Sequence, residues 1–116
     1  MKPYEFEQLV CDHYRQKGYR VQTTSASNDY GIDVFAEKKG EKIAVQVKMY
    51  GGSTRKVNRQ TMMELYGAAA YFDCTKAVLA TDGEVLTDAK EVAHKLGIDI
   101  LFIQPDRKIS MPSASS

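Results

Sequence analysis

The chain has 116 residues, 43% hydrophobic and 27% charged, with a formal net charge of +1, a balance that fits one globular domain with a real core and argues against a second. No run approaches the ~18–20 consecutive apolar residues of a membrane span, and the first residues carry no hydrophobic secretory segment, so a cytoplasmic protein without membrane contact is expected. Cys11 and Cys74 are too few and too far apart for a disulfide framework and form no C-x-x-C zinc pair; both read as buried free thiols.

In chain order, PYEFEQLVCDHYRQKG reads as a helix: Pro3 suits the first turn, acids come early and bases late, and Gly18 stops it. Its apolar stripe is Phe6, Leu9, Val10 and Tyr14, with His13 in the same arc and Glu7 at the stripe's edge. Residues 19–24 alternate as a strand, and SASND is a loop. A hairpin follows in GIDVFAEKKGEKIAVQVK. GGSTRK is a basic loop into a second helix over residues 57–72, in which Met62 and Met63 read as core filler and GAAA permits close packing. Residues 75–82 form a buried strand, residues 87–97 a helix capped by Thr87 or Asp88 and ended by Gly97, and residues 98–103 a last strand. The expected fold is α/β, order α-β-β-β-α-β-α-β, a mixed sheet with helices on both faces. One domain spans residues 1–104, and residues 105–116, ending in SMPSASS, form a frayed tail.

The hairpin carries the chemistry. Asp, Gln and Lys are poor choices for strand interiors, yet Asp33 stands in the first strand and Gln46 and Lys48 in the second. A two-residue turn at Lys39 and Gly40 sets Val34 against Val45 and Asp33 against Gln46. Asp33, Gln46 and Lys48 then share one face of the sheet, while Ile32, Val34, Val45 and Val47 share the other. A carboxylate and an amide carbonyl are oxygen ligands suited to Mg²⁺, and a nearby ammonium can orient water or neutralise charge on a phosphoryl oxygen. The same pattern also fits an Asp and a Gln on a half-exposed face with Lys48 as an ordinary ion-pair partner.

Charge is unevenly spread. Between Lys38 and Arg59 stand seven basic residues and one acid, Glu41, a patch able to track a phosphate backbone or to be a solvated turn and helix start. Arg55, Lys56 and Arg59 follow a Gly-Gly pair, and with Lys48 they are the candidate DNA-binding residues. Tyr50 is a candidate for DNA contact or for packing. His13 and His94 lack a second His or Cys at ligand spacing and read as packing residues.

YEFEQLV, GYRVQTTSASNDYGIDVFA, VQVKMY, ELYGAAA and AVLATDG, in that order from residue 4 to about residue 101, resemble the catalytic domain of the Mrr-like restriction endonucleases of the PD-(D/E)xK nuclease superfamily. The resemblance implies a restriction-endonuclease-like fold and a Mg²⁺-dependent endodeoxyribonuclease, with Mn²⁺ as a substitute. It implies Glu7, Asp33, Gln46 and Lys48 as catalytic residues, with Asp33, Gln46 and Val47 around the metal. Asp29 matches a recurrent family position without an assigned role. Gln46 stands where the wider superfamily has an acid, as is common in the Mrr-like branch. These 116 residues leave no room for a separate DNA-recognition domain, which implies little intrinsic sequence specificity, a partner that supplies it, or a larger protein from which this segment comes. Competing functions are a structure-selective nuclease such as a Holliday-junction resolvase, a catalytically silent nucleic-acid-binding module, and an unrelated α/β structural domain. Cutting both strands calls for a homodimer, with the apolar face in the GAAAYF segment.

Overall fold

In the computed structural model, residues 1–24, 30–104, 106 and 108–111 are described; Asp29 and most of the expected tail lie outside them. Helix α1, Pro3–Gln16, begins with proline in its first turn and ends at Lys17, after which Gly18 takes a left-handed φ of 90° and its N–H returns to the Arg15 carbonyl at 2.9 Å. Strand β1 is Arg20–Thr23, β2 Val34–Lys38 and β3 Glu41–Lys48. Lys39 and Gly40 between β2 and β3 both have positive φ, 48° and 83°, as a two-residue hairpin turn with the right-handed twist of its strands requires. The ladder runs as the sequence predicts from Lys38↔Glu41 to Val34↔Val45.

Helix α2, Arg59–Tyr71, starts two residues later than expected, because the Asn58 side chain accepts the Thr61 N–H at 3.0 Å and fixes the first turn there. Val57 is instead fully buried and bridges to Val85. Strand β4 is Lys76–Thr81, helix α3 Thr87–Leu96 and strand β5 Asp99–Ile103. Neither Thr87 nor Asp88 caps α3: Leu86 holds the cap position without a side-chain bond, and Asp88 pairs with Arg59 at 3.4 Å. Gly97 ends the helix in the left-handed region, as expected. A short strand β6, Ile109–Ser110, then pairs antiparallel with β5 inside the segment read as tail.

Among the described residues the sheet has six strands in sequential order, antiparallel at both ends and parallel where β3, β4 and β5 meet. On one face α1 packs Phe6, Val10, Cys11 and Tyr14 onto Val34, Val45, Val78 and Leu101. On the other, α2 and α3 pack Met62, Leu65, Ala89 and Ala93 onto Ala44 and Leu79. Helices on both faces therefore bury a mostly parallel centre, leaving the carboxyl ends of β3 and β4 as the place where chemistry-bearing residues emerge. Met63 is not core filler: it is 54% exposed on the outer side of α2, while Met62 is buried. Cys11 is a buried thiol, and Cys74 is only partly buried. No described helix is long and apolar enough to cross a membrane.

Candidate active site

The regular pairing of β2 with β3 stops at Val34, so Asp33 precedes the strand and is not squarely opposite Gln46. Its N–H donates at 2.8 Å to the Val45 carbonyl, although Val45 already faces Val34. The next backbone exchange would join Ile32 to Val47, but the Ile32 carbonyl accepts the Thr24 hydroxyl at 2.8 Å instead. The Val47 N–H then donates to Asp33 Oδ2 at 2.6 Å. A side-chain carboxylate thus replaces a backbone carbonyl at the end of the ladder. One consequence overturns an expectation. Ile32 and Val34, two residues apart, belong to opposite cores, Ile32 with Ala44 and Leu79, Val34 with Val45, because the chain is irregular between them.

Gln46 lies on the α2 side of β3 and is 8% exposed, and its Oε1 is buried without a hydrogen-bond partner. An orphaned buried carbonyl costs about 1–3 kcal/mol, so the amide is set for something other than folding. Gly31 makes room for it: a Cβ there would stand 2.9 Å from Gln46 Nε2, and the φ of 86° independently demands glycine. In an extended strand the N–H and C=O of one residue point to the same side, which directs the Val47 carbonyl toward Asp33.

Glu7 sits half-buried on α1. Burial raises the pKa of its carboxyl, and the charge of Asp33 raises it further. Burial likewise raises the Asp33 pKa, opposed by the bond from Val47 and by the positive charge of Lys48. Glu7, Asp33 and Lys48 therefore form one electrostatic neighbourhood at the end of β3. No cluster of three His, Cys, Asp or Glu side chains able to hold a metal occurs among the described residues. A cation here would rest on the Asp33 carboxylate and on the neutral oxygens of Gln46 and Val47, with Glu7 behind. That donor set is all oxygen and fits a hard divalent ion that keeps much of its water.

Lys48 Nζ lies 5.9 Å from the centre of the Tyr50 ring, and the Arg55 guanidinium lies 4.5 Å from the same ring. Lys48, Tyr50, Arg55 and Lys56 line a cavity of about 370 Å³ that extends to Glu64 on α2. Arg59 does not join them: its guanidinium pairs with Asp88, while Lys56 pairs with Glu84 at 3.5 Å. Of the seven basic residues expected as one patch, Lys48, Arg55 and Lys56 line one cavity wall and Arg59 turns toward α3, whereas Lys38, Lys39 and Lys42 lie at the turn end of the hairpin, where Lys38 donates to the Lys17 carbonyl and Lys42 to the Phe72 carbonyl.

Two contributors escaped the sequence reading. Thr81, fully buried, donates to the Lys48 carbonyl at 2.7 Å and accepts the Gly83 N–H at 3.0 Å, locking the end of β3 to the turn after β4. Its signal was a Thr-Asp-Gly at the end of an apolar strand. Glu64 borders both the cationic cavity and the space beneath Gln46; an acid on the polar side of a helix carries no mark in sequence.

The family model Mrr_cat, described as a restriction endonuclease, matches residues 1–108. Among curated proteins, the uncharacterized protein y4cE of Sinorhizobium fredii (strain NBRC 101917 / NGR234) is 34% identical over 98 residues, 75% of this chain and 25% of y4cE. The chain thus spans about a quarter of that relative. Among solved structures, the protein of unknown function AF1548 superposes with a TM-score of 0.67 at 20% identity, over 82% of this chain and 56% of that one. Archaeoglobus fulgidus Hjc, a Holliday junction resolvase, superposes at 0.53 and 15% identity, over 91% and 74%. The MspJI restriction endonuclease, in complex with a 27-mer oligonucleotide, superposes at 0.58 and 15% identity, over 87% and 24%.

Proposed function

Because the chain belongs to the restriction endonuclease family of the Mrr_cat domain and has the restriction-endonuclease-like fold, we propose that it is a metal-dependent endodeoxyribonuclease with little intrinsic sequence preference. The observation that carries the metal site is Gln46 Oε1, buried without a partner one residue before the N–H that holds Asp33. Asp33, the Gln46 carbonyl and the Val47 carbonyl would hold Mg²⁺, with Mn²⁺ as a substitute. Such an ion supplies a Lewis acid for a phosphoryl oxygen and lowers the pKa of bound water.

The protein's own residues do the rest. Val47 N–H keeps one Asp33 oxygen in place and leaves the other for the cation. Lys48 presents an ammonium where negative charge builds on the phosphate during attack. Glu7, its pKa raised by burial, holds a proton more readily than a free carboxyl and is the group suited to take or return one. Lys48, Arg55 and Lys56 bind the backbone on one cavity wall, and Tyr50 orients two of these cations. Arg59, tied to Asp88, contributes least.

With this chain spanning a quarter of y4cE and of MspJI, target choice falls to a separate domain or subunit, and a homodimer supplies a second site for the opposite strand. A cytoplasmic location is part of this reading, supported by a DNA substrate; no described helix is long and apolar enough to cross a membrane. A structure-selective nuclease is the second reading, favoured by an aromatic cavity beside Gln46 that a regular duplex does not need; Hjc, a resolvase, shares the fold. The test is incubation of the purified chain with supercoiled plasmid, linear duplex, single strand and four-way junction, with and without Mg²⁺ or Mn²⁺. Metal-dependent cutting of plasmid or duplex supports the first reading and selective cutting of the junction the second; no cutting of any substrate refutes both.

A further inference from the structure

Beside the site lies a second, larger cavity of about 630 Å³, bounded by Tyr30, Gly31, Gln46, Glu64, Gly67 and Tyr71. It is within the size range of small-ligand pockets, about 300–1,000 Å³. Several of its features cost the free protein stability. Tyr30 has a φ of 51°, a conformation bulky residues avoid, yet the residue is 66% exposed, its ring meeting only the end of α2 at Tyr71 and Phe72 among the described rings. Tyr71 is 67% exposed, with its ring 5.1 Å from that of Tyr30. Gly67 stands inside α2 with ordinary helical backbone, and a Cβ there would meet nothing within 4 Å. Glycine at such a place costs about 0.5–1 kcal/mol relative to alanine, and no close contact among the described residues requires it.

These features share one explanation: the space over Gly67 is kept open beside two exposed tyrosines, whose rings meet edge to face, for something flat. Charge decides what. Glu64 forms the boundary between the two cavities. On one side are Lys48, Arg55 and Lys56, which suit phosphates. On the other a carboxylate, an amide and two phenol rings line the space, and a phosphate would be repelled there. A carboxylate accepts hydrogen bonds from an exocyclic amino group, and aromatic rings stack on the faces of unpaired bases.

We propose that this cavity receives one unpaired nucleobase of the strand whose backbone lies in the cationic cavity, stacked on the Tyr71 ring above Gly67 with Tyr30 against its edge, and with its amino edge toward Glu64. The proposal rests on the nuclease reading for its substrate and adds selectivity for DNA with an unpaired cytosine, adenine or guanine beside the cut.

The experiment measures binding without divalent metal, comparing a duplex carrying one unpaired cytosine, the same duplex with an unpaired thymine, and the fully paired duplex. For the unmodified chain, a preference for the unpaired cytosine over full pairing of at least about fivefold is expected, from the usual strength of base–aromatic stacking, with thymine intermediate. Gly67→Leu, which fills the cavity from a position with open space around it, and Tyr71→Ala, which removes an exposed ring, should each bring the ratio near one. A ratio near one in the unmodified chain, or an unchanged ratio in both variants, overturns the proposal. So does a switch from dimer to monomer in Gly67→Leu with the ratio retained, which would give this face to a second copy of the chain. Failure to cut any of these DNAs when Mg²⁺ or Mn²⁺ is added refutes the nuclease reading alone, since the ratio is measured without metal.

Discussion

Asp33 has two duties that pull in opposite directions. Its carboxylate closes the β3 edge by accepting from Val47, yet burial raises its pKa from the ordinary 3.8. The folded chain therefore holds that proton more tightly than the unfolded chain, and this group's contribution to stability falls as pH rises from 3.8 through the folded value. Glu7 acts in the same direction. Above those folded values the metal-free protein bears the cost of both charges. Asp33→Asn keeps an acceptor for Val47 and removes one charge, so its metal-free melting point at pH 7 should exceed that of the unmodified chain, with the gap closing in acid. A cation at 100 times its Kd stabilises a protein by about 2.7 kcal/mol; that gain should vanish in Asp33→Asn. Persistence of the Mn²⁺-dependent shift in the variant would move the metal elsewhere. Lys48 makes a different prediction. Lys48→Ala should leave the metal-dependent shift intact and lower turnover by about 10²–10³, the usual cost of removing one group that stabilises charge developing in the transition state. Turnover at the unmodified rate would make it a mere companion to Tyr50.

At the scale of elements, what was legible in the sequence was whatever local chemistry decides. Lys39-Gly40 set the hairpin and its register because few residue pairs accept positive φ at both turn positions. Gly18 and Gly97 marked helix ends for the same reason. The irregularity at Ile32 and Asp33 was not legible, because it depends on the Thr24 hydroxyl arriving from the end of β1 to take a carbonyl that β3 would otherwise use. Extending strict alternation through it placed Ile32 on the wrong face. The α2 start was misplaced because Val57, apolar like the helix core, belongs to a bridge with Val85. The junction after β3 and β4 was also hidden, and it is tightly packed. A Cβ on Gly83 would lie 2.7 Å from Tyr50 Cβ and within 3.5 Å of Tyr50 backbone atoms, none of which can swing aside. Gly83→Ala should therefore destabilise the fold by about 1–3 kcal/mol and shift Tyr50 away from Lys48 and Arg55. Gly67→Ala, with open space and helical backbone, should stabilise it by about 0.5–1 kcal/mol. Urea unfolding of both checks the contrast, and equal signs would refute the packing described at the two glycines.

At the scale of the whole molecule, a net charge of +1 supplies little attraction for DNA, so binding depends on where the cations stand and what already holds them. Arg55 faces the cavity beside Lys48 and has no acidic partner among the described residues. Lys56 and Arg59 are tied to Glu84 and Asp88, but exposed ion pairs are worth only about 0–1 kcal/mol, and a phosphate can replace the carboxylate where it has access. Access favours Lys56, which lines the cavity, over Arg59, which does not. Removing a side chain that neutralises one phosphate should reduce the slope of log affinity against log salt by about 0.9 on duplex DNA. Arg55→Ala should show that full reduction, Lys56→Ala a similar one, and Arg59→Ala almost none. Equal slopes for all three variants and the unmodified chain would refute the cavity wall as the backbone-tracking element. The same preparations settle the assembly when their mass is measured in solution during cutting of supercoiled plasmid. One chain holds one site and makes one nick, whereas a two-fold dimer can face opposite strands with two. Plasmid should therefore pass through a nicked circle at concentrations where the chain is monomeric and go directly to linear where it is dimeric. Concerted double-strand breaks from a monomer would refute the requirement for a second copy.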